Sequence, residues 1–265
     1  MDLALTGYLW ATVQAVAELL GRRPAWPVPT RALLVSAWLV HTGGLLLRGV
    51  ALGRPPVTGL HAALSLIVWA AVLLLLWAER RYRLRALPGF VLLPASLLGL
   101  IAAAAPEAAV FGTAGAGGMG HALLVVLGLG ALAGNFAGGV MYVLQERALR
   151  RGAVAGLSRR LPPLGTLDRF SFHALVVGFP FLTLGIVLGT VSAARLYGPG
   201  WLWQPTPVVA AATWAIYAMT VSLRAGAGWG GRRAAYLALA GFAGMVVTVS
   251  VSLLLPTRHV ALLGP

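Results

Sequence analysis

The apolar residues of this 265-residue chain come in long continuous runs and do not alternate with polar ones. Mostly apolar windows fall at 3–20, 32–51, 61–78, 87–105, 120–144, 170–194, 207–224 and 234–255. A helix of roughly 20 such residues crosses the hydrocarbon of a bilayer, whereas a barrel strand shows roughly ten residues of alternation. The pattern therefore predicts an all-α integral membrane protein of about eight transmembrane helices in one bundle. Its short connections leave no room for a second soluble domain, so 1–265 is read as a single domain. The first run is read as a span and not a cleaved leader, because Asp2 is its only early charge and no basic segment precedes it.

The polar positions between the runs then set the orientation. Arg22, Arg23 and Arg31 follow the first window, and Arg80, Arg81, Arg83 and Arg85 follow the third. Arg147, Arg150, Arg151, Arg159, Arg160 and Arg169 follow the fifth, and Arg224, Arg232 and Arg233 the seventh. Only Arg48, Arg54, Arg195 and Arg258 fall in the alternate connections. Connections rich in arginine stay in the cytoplasm, which predicts both termini on the outer side.

Composition agrees. With 59% hydrophobic and 10% charged residues the chain cannot coat a soluble domain, which needs about a quarter charged. It is also too apolar to be disordered. The net charge of +14 is a cytoplasmic fringe suited to anionic lipid headgroups. No basic stripe interleaved with aromatics supports a nucleic-acid partner. There is no Cys, which excludes disulfides, thiolate metal sites and covalent attachment of a c-type haem to this chain.

Candidate chemistry concentrates at the outer side. His61, His121 and His259 lie at outer span ends, His41 lies inside the second span, and only His173 falls at the cytoplasmic end. The outer connection Tyr197-Gly198-Pro199-Gly200-Trp201-Leu202-Trp203-Gln204-Pro205 sets aromatics in the same layer. Alone, that loop reads as an interfacial aromatic belt. Beside histidines from separate helices it also suits a haem, which needs flat apolar cover and axial imidazoles. The outer arginines, Arg48 among them, can pair with propionates. His41 stands out because an ionisable group inside a span is costly, and Arg48 lies seven residues on, on the same helix face. A structural anchor is the other reading of Arg48.

Other signals read as structure. Gly115, Gly117 and Gly120 form a GxGxxG with no preceding strand, so Gly112 to Gly120 is read as a flexible outer loop. Gly130, Gly134 and Gly138 recur on one face of the fifth helix, where they admit a neighbouring backbone. Asp168 is expected to cap the sixth helix. Neither a catalytic triad nor a carboxylate pair is visible among the six acids, so no catalytic residue is assigned and the chain reads as a haem handler sooner than an enzyme.

Three stretches carry a resemblance. They are His121-Ala122-Leu123-Leu124 leading to Gly139-Val140-Met141-Tyr142-Val143-Leu144-Gln145-Glu146-Arg147; Leu167-Asp168-Arg169 leading to Gly178-Phe179-Pro180-Phe181-Leu182-Thr183-Leu184-Gly185-Ile186; and Trp201-Leu202-Trp203 followed by Thr213-Trp214 and Tyr217. Together they resemble the cytochrome c assembly family of haem-handling membrane proteins, in its short CcsA and HemX form. The resemblance runs from about His41 to His259. It implies non-covalent haem b held on the outer face under the tryptophan-rich loop, with His121 and His259 as axial ligands to its iron. His41 matches a membrane-embedded position of the family's second helix. In the loop, Tyr197 stands where the family has tryptophan, Gln204 where it has aspartate, Thr206 for lysine and Pro207 for glutamate; His61 stands where it often has an acid, and Ser222 where larger members carry a membrane histidine.

The implied function is cytochrome c biogenesis, with haem, apocytochrome c and a second membrane assembly subunit as partners, in the bacterial plasma membrane. The alternative is a HemX-type regulator of haem biosynthesis acting through the cytoplasmic arginine-rich loops. A third reading, a transporter of small anions, lacks the internal repeat it needs.

Overall fold

The computed structural model describes residues 2–22, 28–53, 60–104, 116–152 and 156–254. Among them are eight α-helices and no strand: α1 (Asp2–Leu19), α2 (Thr30–Leu52), α3 (Leu60–Tyr82), α4 (Leu87–Ala104), α5 (Ala116–Arg150), α6 (Leu164–Tyr197), α7 (Pro205–Ala225) and α8 (Gly231–Leu254). Single 3-10 turns lie at Gly156–Arg159 and Pro199–Trp203. Helices are what such a sequence must form, since hydrocarbon offers backbone N–H and C=O groups no partners except each other. Among the described residues α2 to α8 are long and apolar enough to cross a membrane. The chain is a multi-pass membrane protein.

At 18 residues, α1 is also of spanning length, but it carries Thr12, Gln14 and Glu18. Their groups meet partners inside the bundle. Thr12 Oγ1 lies 2.7 Å from Ser96 Oγ, Gln14 Nε2 donates to the Val28 carbonyl at 2.6 Å, and Thr30 Oγ1 donates to Glu18 Oε1 at 2.7 Å. Satisfying polar groups against neighbouring helices lets a less apolar helix stay in the bundle.

The contacts divide the bundle into α1–α4 and α5–α8, joined where α3 and α4 lie against α5. Close approaches along α5 and α6 pair Gly120 with Leu188, Gly128 with Leu182 and Gly138 with Ser171, so the two run antiparallel along their length. The tightest point is the Gly128 backbone facing the Leu182 and Gly178 backbones; a Cβ at Gly128 would stand 2.8 Å from the Leu182 nitrogen. The glycine stripe of α5 does admit neighbours, though not all from one helix. Gly134 and Gly138 meet Phe170 of α6, while Gly130 meets Ala70 and Leu74 of α3.

Two expectations are corrected. Ala116 to Gly120 form the first turn of α5, so the glycine-rich segment is helical there; 112–115 lie outside the described residues. Asp168 does not cap α6, which starts at Leu164 after Pro163, a residue whose missing N–H costs nothing at a helix start. Instead Asp168 Oδ1 accepts from the Gly231 N–H, the first residue of α8, at 3.0 Å and from Arg224 Nη2 at 3.0 Å. The arginine, only 5% exposed in its side chain, also lies over the Phe172 ring at 4.9 Å. One carboxylate thus ties α6, α7 and α8 together.

The same pairings gather the described arginine-rich connections at one end. Arg160 reaches the Glu18 carbonyl at 2.8 Å, Ser158 reaches Gln145 at 3.0 Å, and Arg232 lies 3.8 Å from Glu146. The start of α1, the start of α5 and the tryptophan turn after α6 lie at the opposite end.

Candidate functional site

The first turns of α5, at the end opposite the arginine-rich connections, are set by glycine. His121 lies five residues into this helix, and its ring is seated against α6 where Gly189 has no side chain; a Cβ there would stand 2.5 Å from His121 Nδ1. One turn earlier on α6, the Gly185 carbonyl oxygen is 2.7 Å from the same nitrogen. A carbonyl only accepts, so Nδ1 carries the proton and the lone pair is on Nε2. A backbone acceptor on one ring nitrogen is the arrangement that fixes and orients metal-ligating histidines. The donor chemistry at His121 therefore fits a haem iron.

The tryptophan turn begins at the end of α6, eight residues beyond Gly189. At 1.5 Å per residue this puts Tyr197 roughly 12 Å farther out than the histidine. Tyr197 is half-buried, Trp201 is 6% exposed and packed beneath the turn, and Trp203 is 85% exposed. The two tryptophans are thus not equivalent: one anchors the turn, and the other offers a flat ring to the outside. Trp214 of α7 is fixed below them, its Nε1–H donating to Thr183 at 3.0 Å and its ring tilted over Phe179. His121, Tyr197, Trp201 and Trp203 share the end of the α5–α8 half opposite the arginine-rich connections. His259 and Arg258, expected beside them, lie outside the described residues, as does Arg54.

His41 sits elsewhere. It is 3% exposed among α1, α2 and α3, with Nδ1 3.2 Å from the Tyr8 hydroxyl and Nε2 2.8 Å from the Ser65 hydroxyl. Arg48 is half-buried two turns farther along α2. The structure thus parts the candidate residues into two niches, one in each half.

Sequence spacing gave His61 no role, yet it shares the level of His121. Leu66 and Val126 pack in one cluster, and Ala70 meets Gly130, so α3 and α5 run parallel with a constant offset. His61 Nδ1 is 2.8 Å from the Ala102 carbonyl, which gives it the same tautomer as His121. At the basic end, His173 Nδ1 and the Tyr82 hydroxyl share a hydrogen bond.

A match to the cytochrome C assembly protein family covers residues 57–258, about three quarters of the chain. The chain belongs to this family. Among relatives named cytochrome c biogenesis protein CcsA, that of Crocosphaera subtropica is 37% identical over 108 residues, covering 41% of this chain and 32% of the relative. That of Synechocystis sp. is 37% identical over 97 residues, 37% of this chain and 29% of the relative. That of Heterosigma akashiwo is 43% identical over 77 residues, 29% and 24% respectively. The chain spans about a third or less of the length of these relatives. The family match takes in His61, His121 and the tryptophan turn; His41 and Arg48 precede it and His259 lies just beyond it.

Proposed function

We propose that this protein holds haem at the outer end of its bundle for cytochrome c assembly. The observation that carries the reading is His121, held by the Gly185 carbonyl in the ligand tautomer at the end where the exposed Trp203 ring stands. Haem is here the cargo, non-covalent and of the b type, whose iron takes imidazole nitrogen axially. His121 and His259 supply the ligands. Trp203 covers a porphyrin face, Trp201 and Tyr197 shape the turn, and outer arginines, Arg48 included, meet propionates. His41 joins as a ligand only by giving up a hydroxyl partner. The arginine-rich end faces the cytoplasm, as the positive-inside rule requires, in a bacterial plasma membrane.

Without Cys, the chain has no thiol for exchange with apocytochrome c thiols. We therefore assign the covalent step to a complex with a second membrane assembly subunit, to which this protein presents haem. The test is the dithionite-reduced absorption spectrum of protein purified in mild detergent from haem-replete cells. Sharp α and β bands that vanish in a His121→Ala/His259→Ala variant, still helical by circular dichroism, are expected. Bands unchanged in that variant overturn the ligand assignment, and a colourless protein that also takes up no added haem overturns the reading.

A further inference from the structure

An apolar hollow lies away from the haem-handling end, on the seam between the two halves. It has a volume of about 340 Å³, with walls from α3 and α4 on one side and α5 and α6 on the other. Gly130, Ala131 and Gly134 line it on the α5 side. Its mouth is on the perimeter between Trp77 and Val177, which are 47% and 41% exposed. The lining is almost wholly apolar, so the occupant is hydrocarbon and not water.

What distinguishes this hollow from lipid-facing surface in general is its basic end. Beyond Trp77, α3 ends in Arg80 and Arg81, both exposed, and Tyr82 closes onto α6 through Phe170 and His173. Arg81 lies over the Tyr82 ring at 5.5 Å and Trp77 meets the same ring edge-on, which sets this guanidinium beside the mouth. Apolar groove below, aromatic collar at the interface and guanidinium groups above follow the order of chemistry along one phospholipid: acyl chain, glycerol, phosphate. Glu79 is the acid nearest these arginines in the chain, and it is partly buried.

We infer that the seam binds one anionic phospholipid, an acyl chain filling the groove and the headgroup phosphate on Arg80 and Arg81. The lipid joins the halves at the place where protein packing is incomplete. This goes beyond the haem reading and does not depend on His121 or His259.

The probe is native mass spectrometry of the haem-free full chain, released from nanodiscs of phosphatidylglycerol or of phosphatidylcholine with the same acyl chains. One phosphatidylglycerol per chain is expected to survive release. Juxtamembrane arginines each contribute about 1 kcal/mol toward an anionic surface, roughly fivefold in binding. Arg80→Gln/Arg81→Gln should therefore retain the lipid about twentyfold to thirtyfold less well. Ala131→Phe should displace it by filling the hollow from the α5 side. Because that change can unfold the seam, Val177→Trp, which narrows the mouth from the lipid-exposed side, is the second variant; it too should lose the lipid while helicity is kept. Equal retention of phosphatidylcholine, or retention unchanged by the arginine substitutions, overturns the proposal. So does a groove filled by haem, visible as a Soret band that Val177→Trp removes.

Discussion

Each half of the bundle holds a histidine between its helices, His41 buried and His121 half-buried, and the two hold it by different chemistry. In the α5–α8 half His121 faces a carbonyl of Gly185, which can only accept, so one tautomer is fixed and the lone pair is always on Nε2. In the α1–α4 half His41 lies between two hydroxyls, of Tyr8 and Ser65, each able to donate or accept. Neither tautomer is selected there, and both ring nitrogens are already engaged. A buried polar group with all partners satisfied is a structural device as it stands. A carbonyl partner instead dictates the tautomer and orients the ring, the support that metal-ligating histidines have. The difference teaches that burial of a histidine in a membrane is not itself a sign of a metal site; the nature of the partner on each nitrogen decides.

The largest expected effect separates the niches directly. His121→Ala should weaken haem retention by more than about 100-fold, as expected for loss of a ligand and not of its support, and remove or shift the reduced bands. His41→Ala should leave those bands in place. A reduced spectrum lost in His41→Ala and kept in His121→Ala would reverse the assignment of the two halves. The cost of His41→Ala should appear instead in thermal unfolding in detergent. Deleting a fully packed ring and stranding two hydroxyls costs about 2–4 kcal/mol.

The next effect tests whether orientation matters at His121. Gly189→Ala places a methyl group 2.5 Å from Nδ1, too close for the ring to stay. Haem affinity should fall about tenfold to 100-fold, the usual range for disturbing what holds a metal-ligating histidine. The reduced band should shift, with a melting temperature close to that of the parent. A melting temperature that falls while the bands of the folded fraction stay unshifted would make Gly189 a packing residue only.

Much of this was legible in the residues. Eight apolar windows became eight helices, because hydropathy reports the part of a helix that lies in hydrocarbon. For the same reason it missed the ends of α5 and α6, which extend to 35 and 34 residues through glycine and arginine segments that lie beyond it. The position of Asp168 was legible, but its partner was not. Proximity in sequence suggested its own helix, whereas its acceptor oxygen serves the Gly231 N–H across 63 residues. That His121 and the tryptophan turn lie at the end opposite the arginine-rich connections followed from spacing and charge. The slot that fixes His121 did not, since Gly185 and Gly189 become partners only when α5 and α6 pack antiparallel. The niche of His41 escaped for a similar reason, its hydroxyls coming from two other helices.

The smallest effect is the sharpest test of that niche. Ser65→Ala removes the hydroxyl 2.8 Å from His41 Nε2 and little else, since serine and alanine differ by one atom and the site is 3% exposed. An unpaired nitrogen left in the interior costs about 1–2 kcal/mol, read as a lower melting temperature. The substitution also removes the hydroxyl engaged with Nε2, while Tyr8, whose hydroxyl can donate or accept, remains on Nδ1. If the first half is only a packing device, the variant is slightly less stable and its haem content, measured by pyridine hemochrome per chain, does not change. If haem content rises, Ser65 was holding a second ligand in reserve, and the two halves differ by one hydroxyl and not in kind.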